Sequence, residues 1–285
     1  MPEGPDGKGL SATAFPEASS ELMEAPPHPP ALSGRENLPS SGDASLSFTG
    51  AVAGAPYGRG VLSSLLDLLL PPRCGGCGRL GSLYCDGCRR RTRRLEEPIC
   101  SRCGAEVEHA RSGCGCRGRI RRLTRLRSAA AYEGPLEKAL HRFKYEGRRP
   151  LARPLALLLA ERLAVDGLAA EAITWVPLHE QRLRRRGYNQ AELLGRELAG
   201  LTGLPTLAGL ARVRDTPPQV GLDRLRRKGN VADAFRWEGK ELARRSLLLV
   251  DDVATTGATL EACASALKAA GAGAVIGFTV ARVKL

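Results

Sequence analysis

Eight of the nine cysteines lie between positions 74 and 116, in four close pairs: Cys74 with Cys77, Cys85 with Cys88, Cys100 with Cys103, and Cys114 with Cys116. Three pairs are C-x-x-C and the last is C-x-C. A pair so spaced on one tight turn can aim both thiolates at a single tetrahedral Zn²⁺, and the interspersed glycines supply the backbone freedom such turns need. Two Cys₄ sites, each holding a structural zinc, account for all eight thiols. A disulfide scaffold conflicts with the lack of any secretion signal, and a redox site needs only one C-x-x-C. Sequential pairing, 74/77/85/88 and 100/103/114/116, is favoured over a cross-braced scheme that alternates the pairs. His109 could replace Cys114 or Cys116, although a solvated loop histidine is the simpler reading.

Charge is concentrated around these pairs. Residues 1–72 carry a net charge of −5, residues 73–127 a net of +10 and the remainder +8, giving +13 for the chain. Eight thiolates with two Zn²⁺ reduce the +10 to about +6, so the segment stays basic and a polyanion such as single-stranded nucleic acid is a candidate partner. Aromatic residues for base stacking are not interleaved with the arginines there.

Residues 1–58 are rich in Pro, Ser, Gly, Ala and Glu without helical or alternating periodicity, which predicts a disordered leader. From Val61 the pattern VLSSLLDLLL sets Leu62, Leu65, Leu66 and Leu69 at helical spacing and stops at Pro71 and Pro72, predicting a short amphipathic helix within 59–72. No apolar run approaches the ~18–20 residues of a membrane span. The expectation is a cytoplasmic protein with a zinc ribbon module over 73–118 and a larger domain over 128–285.

That larger domain alternates strand and helix patterns. SAAAY (128–132), ITWVPL (173–178), LLLV (247–250) and AVIGFTVARV (274–283) read as strands; helices are expected over PLEKALHRF, PLALLLAERL, AELLGRELAG and TLEACASALKAAG, with a basic loop after ITWVPL. Strands alternating with helices predict an α/β fold with a mostly parallel sheet covered on both faces. Cys263 falls on the inward stripe of the last helix and is expected in the core.

The strand LLLV runs directly into Asp251 and Asp252 and then into Ala254-Thr255-Thr256-Gly257-Ala258-Thr259. Ligands of parallel sheets bind beyond the carboxyl ends of the strands. Two adjacent carboxylates there suit vicinal hydroxyls or a hydrated Mg²⁺. Backbone N–H groups, threonine hydroxyls and a helix N-terminus make an anion cradle, and Gly257 permits close approach. No G-x-x-x-x-G-K-[ST] is present, so the cradle is not that of a nucleoside-triphosphate P-loop. Acids for a diol beside a monophosphate cradle describe a ribose 5-phosphate site.

LLLVDDVATTGAT resembles the phosphoribosyl-pyrophosphate (PRPP) signature of type I phosphoribosyltransferases. WVPLHEQRLRRRGYNQAELLGRELA and RDTPPQVGLDRLRRKGNVADAF, with the cysteine pairs and YEGPLEKALHRFKYEG, resemble the ComF (also GntX) competence family over residues 61–285. The resemblance implies a type I phosphoribosyltransferase-like domain preceded by a double zinc ribbon. It further implies a role in DNA uptake or related nucleic-acid handling, with PRPP or a nucleotide, single-stranded DNA and DNA-uptake proteins as expected partners.

The resemblance also implies site roles. Asp251 and Asp252 would hold the ribose hydroxyls and Thr255, Thr256, Gly257, Ala258 and Thr259 the 5-phosphate. Pyrophosphate, with Mg²⁺, is expected near Pro177 and Leu178. Arg186 or the segment 214–230 would close over it, with Gln219, Arg227 and Asn230 as candidates, and Lys144 is a further candidate for contact with a phosphate. The chemistry would be displacement of pyrophosphate from C1 by a nitrogen nucleophile.

Overall fold

A computed structural model describes residues 71–108, 114–116, 118–213 and 234–284. The expected leader, nearly all of the expected N-terminal helix, and His109, Gln219, Arg227 and Asn230 lie outside the described residues. All described residues belong to one compact unit.

The zinc-ribbon segment is built on two copies of one turn. Cys74 N–H donates to Arg79 O (2.8 Å) and Gly78 N–H to Cys74 O (2.9 Å); Cys100 N–H donates to Ala105 O (2.7 Å) and Gly104 N–H to Cys100 O (2.8 Å). Antiparallel bridges, Arg73 to Leu80 and Ile99 to Glu106, close each turn at the same offset from its first cysteine. The second pair sits at the start of helix α1 (Asp86–Arg90), with Cys85 as its N-cap and Cys88 inside it.

Four parallel strands follow in the order β1-β6-β5-β2: β1 (Arg125–Ala131), β2 (Ala172–Trp175), β5 (Leu247–Ala254) and β6 (Val275–Arg282). Helices α2 (Gly134–Tyr145), α3 (Ala152–Asp166), α4 (Glu180–Arg186), α5 (Gln190–Thr202) and α6 (Ala258–Ala269) connect or flank them. Leu247, Leu248, Leu249 and Val250 are completely buried, as befits a central parallel strand. Burial of each such side chain contributes about 1.5–3 kcal/mol before the cost of ordering the chain. Cys263 is completely buried in α6.

The parallel sheet has one antiparallel addition. Arg94 bridges Ala130, and Ala131 N–H donates to Arg93 O (2.9 Å), so the chain leaving the first cysteine cluster lies along the β1 edge.

Two expectations need correction, and one further pair of strands is present. The basic stretch after β2 is not all loop: Glu180–Arg186 is helical, capped by His179, whose ring accepts from Gln181 N–H. A separate two-stranded antiparallel sheet, β3 (Leu210–Arg212) with β4 (Phe235–Trp237), is present and had no clear period in the sequence. The strand through LLLV does not stop before the acids. It continues to Ala254 because β6 keeps supplying partners, with Asp251 opposite Thr279 and Val253 opposite Ala281.

Candidate functional site

On the β2 side, pairing ends at Trp175 with Val250. Asp251 and Asp252 therefore lie inside β5 as judged from β6, yet past the last pairing with β2. Asp251 is half-buried and Asp252 buried. The Asp251 carboxylate accepts from Asp252 N–H (2.8 Å), and Asp252 Oδ1 lies 2.9 Å from Lys144 Nζ at the last turn of α2.

Burial and the neighbouring Asp252 charge push Asp251 up to about 7, against the opposing pull of Lys144. Burial works to lower Lys144, but Asp252 and then Asp251 hold it above its ordinary range. The cluster thus carries two carboxylates and one ammonium in a recess that favours sharing a proton or accepting another cation. Tyr132, just past β1, feels the same charges; burial raises its phenol above the ordinary value. Sequence reasoning missed Tyr132, since an isolated tyrosine at a strand end carries no signal.

The loop after β5 is shaped by Gly257, which sits at φ +81° as the N-cap of α6. A Cβ there would lie 3.2 Å from Leu126 Cδ2 and in a backbone region L-residues disfavour. Thr255 is exposed, Thr256 and Thr259 half-exposed, and Thr256 Oγ1 accepts from Ala258 N–H (3.4 Å). Glu261, in the first turn of α6, accepts from Arg121 N–H (2.7 Å), Arg122 N–H and Leu123 N–H (3.1 Å). That carboxylate fastens the connector between zinc ribbon and sheet to the helix behind the loop; the sequence offered only an unremarkable helix-start acid.

Beyond β2, Pro177 is buried and Leu178 half-buried. Asn189 holds this turn: its Nδ2 donates to Val176 O (3.0 Å) while its Oδ1 caps α5 at Ala191 N–H (3.0 Å). Arg186 donates to Gln190 Oε1 (2.7 Å) and lies over the Tyr145 ring, 5.1 Å from its centroid. Arg186 thus reaches the residue next to Lys144.

Each group of four cysteines, 74/77/85/88 and 100/103/114/116, brings its sulfurs within 4.8 Å of one another. All are free thiols. Four sulfurs around Zn²⁺ at 2.3 Å stand about 3.8 Å apart by tetrahedral geometry. The Sγ separations of 3.7 Å for Cys74 with Cys88, 3.6 Å for Cys77 with Cys85, 3.7 Å for Cys100 with Cys116 and 3.5 Å for Cys103 with Cys114 lie near that figure, while Cys114 with Cys100, at 3.1 Å, is tighter than it. The C-x-C pair delivers both of its sulfurs. Burial acts to raise Cys74, yet N–H donors from Cys85, Cys77 and Gly76 bring it down to about 6; Cys100 is likewise brought to about 6, by Cys103 N–H and other donors. Burial and the neighbouring cysteines push Cys88 and Cys116 up, so in each cluster a bound metal would have to displace protons from the remaining thiols.

Part of the arginine charge is paired with acids of the same chain, mostly at the surface. Glu161 pairs with both Arg89 and Arg94, Arg93 with Glu106 and Glu133, and buried Arg127 lies 3.7 Å from Asp166. Arg90, Arg91, Arg121, Arg122 and Arg125 are exposed. Among the described residues, no helix is long and apolar enough to cross a membrane.

Fold and clusters together define the class: a double zinc ribbon built onto the edge of a mostly parallel α/β sheet. Residues 65–117 match the family model described as Double zinc ribbon domain. The chain is 34% identical over 196 residues to Competence protein F of Haemophilus influenzae, spanning 66% of this chain and 85% of that protein. It is 35% identical over 198 residues to DNA utilization protein YhgH of Escherichia coli K12, covering 67% and 86%. Competence protein ComFC of Streptococcus pneumoniae is 27% identical over 202 residues, covering 70% and 88%. The chain belongs to the ComF competence family. A purine phosphoribosyltransferase from Pyrococcus horikoshii overlaps 45% of this chain and 80% of its own at 19% identity, with a TM-score of 0.27, too slight a likeness to carry weight.

Proposed function

We propose that the chain binds a 5-phosphoribosyl ligand, PRPP or a nucleotide, together with Mg²⁺, and serves DNA uptake or related handling of nucleic acid. The observation that carries this reading is the continuity of β5, its two acids and the Gly257 turn, which sets diol acceptors and an anion cradle on one segment at the carboxyl edge of the sheet. The names of the relatives, competence and DNA utilization, support the cellular role.

In this reading Asp251 and Asp252 accept from the ribose hydroxyls. The N–H groups and hydroxyls of Thr255, Thr256, Gly257, Ala258 and Thr259 take the 5-phosphate. Pro177, Leu178 and Arg186 border the pyrophosphate. Lys144 is held by Asp252, so it meets the ligand from the acid side. Bound Mg²⁺ supplies neutralisation of the pyrophosphate charge. The same grip suits displacement of pyrophosphate from C1 by a nitrogen nucleophile, since fixed acids beside the sugar favour an oxocarbenium-like transition state.

A thermal shift tests the binding claim. PRPP with Mg²⁺ raises the melting temperature of the native protein in a concentration-dependent way. An unchanged melting temperature at saturating PRPP contradicts the proposal.

The exposed arginines of the zinc ribbon and its connector favour a second reading, binding of single-stranded nucleic acid through the phosphate backbone. Affinity for an oligonucleotide should then fall steeply as salt rises. A flat salt response argues against it.

A further inference from the structure

The two zinc-ribbon turns do not merely adjoin the sheet; each is tied to a different half of the candidate site. Arg142, whose Nε lies 3.7 Å from Glu146 Oε2, donates through Nη1 to two carbonyls of the first cluster, Cys74 O (3.1 Å) and Gly75 O (2.7 Å). Arg142 stands on α2 two residues before Lys144, the residue that holds Asp252. Gly75 and Gly76 pack closely beside α2: a Cβ on Gly75 would strike Leu151 and approach Ala139, and one on Gly76 would strike Cys88 Sγ and Pro135.

The second cluster reaches the other half. Arg282, 5% exposed at the end of β6, donates through Nη1 to Cys103 O (2.7 Å). Its Cα partners across the sheet are Ala131 and Ala254, and Ala254 is the last strand residue before the threonine loop. Cys116 O accepts from Ile120 N–H (3.1 Å), and Ile120 with Leu126 forms the wall against which Gly257 turns. Gly104 completes the seat, since a Cβ there would lie 2.6 Å from Leu126 O.

We propose that Arg142 and Arg282 are positioning residues through which zinc loading of each cluster sets one half of the site: the first the Lys144–Asp252 contact, the second the Gly257 loop. The carbonyls they grip belong to the C-x-x-C turns themselves. Those carbonyls keep a fixed direction while both thiolates of the turn share a metal, and lose it when the turn is released. Zinc content then governs ligand competence without any zinc atom touching ligand. The claim takes the identity of its site from the proposed function, but the coupling itself is independent of what binds there.

Hydrogen–deuterium exchange on the full chain tests this without PRPP. Arg142→Met should raise exchange across 140–147, and Arg282→Met across 254–260, each by roughly tenfold or more as local opening becomes easier. Zinc content stays at about two per chain in both variants. Arg142→Lys and Arg282→Lys, which retain a donor, should restore much of the protection. Removing zinc with a chelator should raise both segments while Leu247–Val250 stays protected. Unchanged protection after zinc removal overturns the proposal, and so does a uniform loss that includes Leu247–Val250. Because PRPP is absent, these outcomes bear on the coupling alone, and a missing PRPP melting shift bears on the ligand reading alone.

Discussion

Lys144 Nζ lies 2.9 Å from Asp252 Oδ1, joining the last turn of α2 to the strand that carries both acids. The ammonium offsets the repulsion between two carboxylates that would otherwise share a recess with no cation.

Removing that ammonium should therefore be costly. Lys144→Met is expected to destabilise the protein by about 2–3 kcal/mol, somewhat less than the ~3–5 kcal/mol for breaking a fully buried pair, because Lys144 is partly exposed. Chemical denaturation measures it. The Lys144→Met/Asp252→Asn double variant should lose less than the sum of the single changes, the signature of a coupled pair.

The raised Asp251 gives a definite pH dependence. Its folded-state value of about 7 exceeds the ordinary carboxylate value, so between roughly pH 4 and 7 the folded protein binds more protons than the unfolded chain. Stability falls as pH rises through that window, and the full cost is present above it. Asp251→Asn removes the cost, so it should raise the melting temperature more at pH 8 than at pH 5. An equal gain at both values would show that Asp251 titrates normally.

At Gly257 the backbone sits at φ +81° with Leu126 close behind it. Gly257→Val should cost about 1–3 kcal/mol, as a β-branched residue is forced into the left-handed region against a buried wall. Denaturant midpoints report the loss.

Metal analysis of the native protein should find about two zincs per chain, and Cys114→Ser about one. The C-x-C pair is the informative place to cut, because it is the tighter of the two spacings yet brings both sulfurs into the second cluster. A native content near one would contradict the fit of that cluster.

Much of this architecture is legible in the amino-acid sequence. The cysteine spacing indicated two ligand sets, since pairs two or three residues apart act locally; the apolar run Leu247–Val250 indicated a central parallel strand. What spacing could not show were contacts between distant segments. Lys144 with Asp252, Arg282 with the Cys103 carbonyl, and Glu261 with the N–H groups of residues 121–123 each join stretches with no common period. Helix α4 was hidden because EQRLRRR lacks an apolar stripe, and its fold depends on the His179 cap and the left-handed Gly187 that ends it. The end of β5 was misjudged for a related reason: a strand persists as long as a neighbour offers partners, and β6 offers them past Asp252. Arginine density was a poor guide to free charge, because Arg89, Arg93 and Arg94 pair with acids at the surface and Arg127 faces an acid in the interior.

The most direct test of the central claim is calorimetric titration of PRPP with Mg²⁺ into the native protein and into Asp251→Asn/Asp252→Asn, repeated near pH 7 in buffers of different ionisation enthalpy. The account predicts saturable heat for the native protein, a buffer-dependent part from the proton Asp251 releases as it takes up the ligand and cation, and no binding heat for the double variant. Equal heats from both proteins, or none from either, would contradict it.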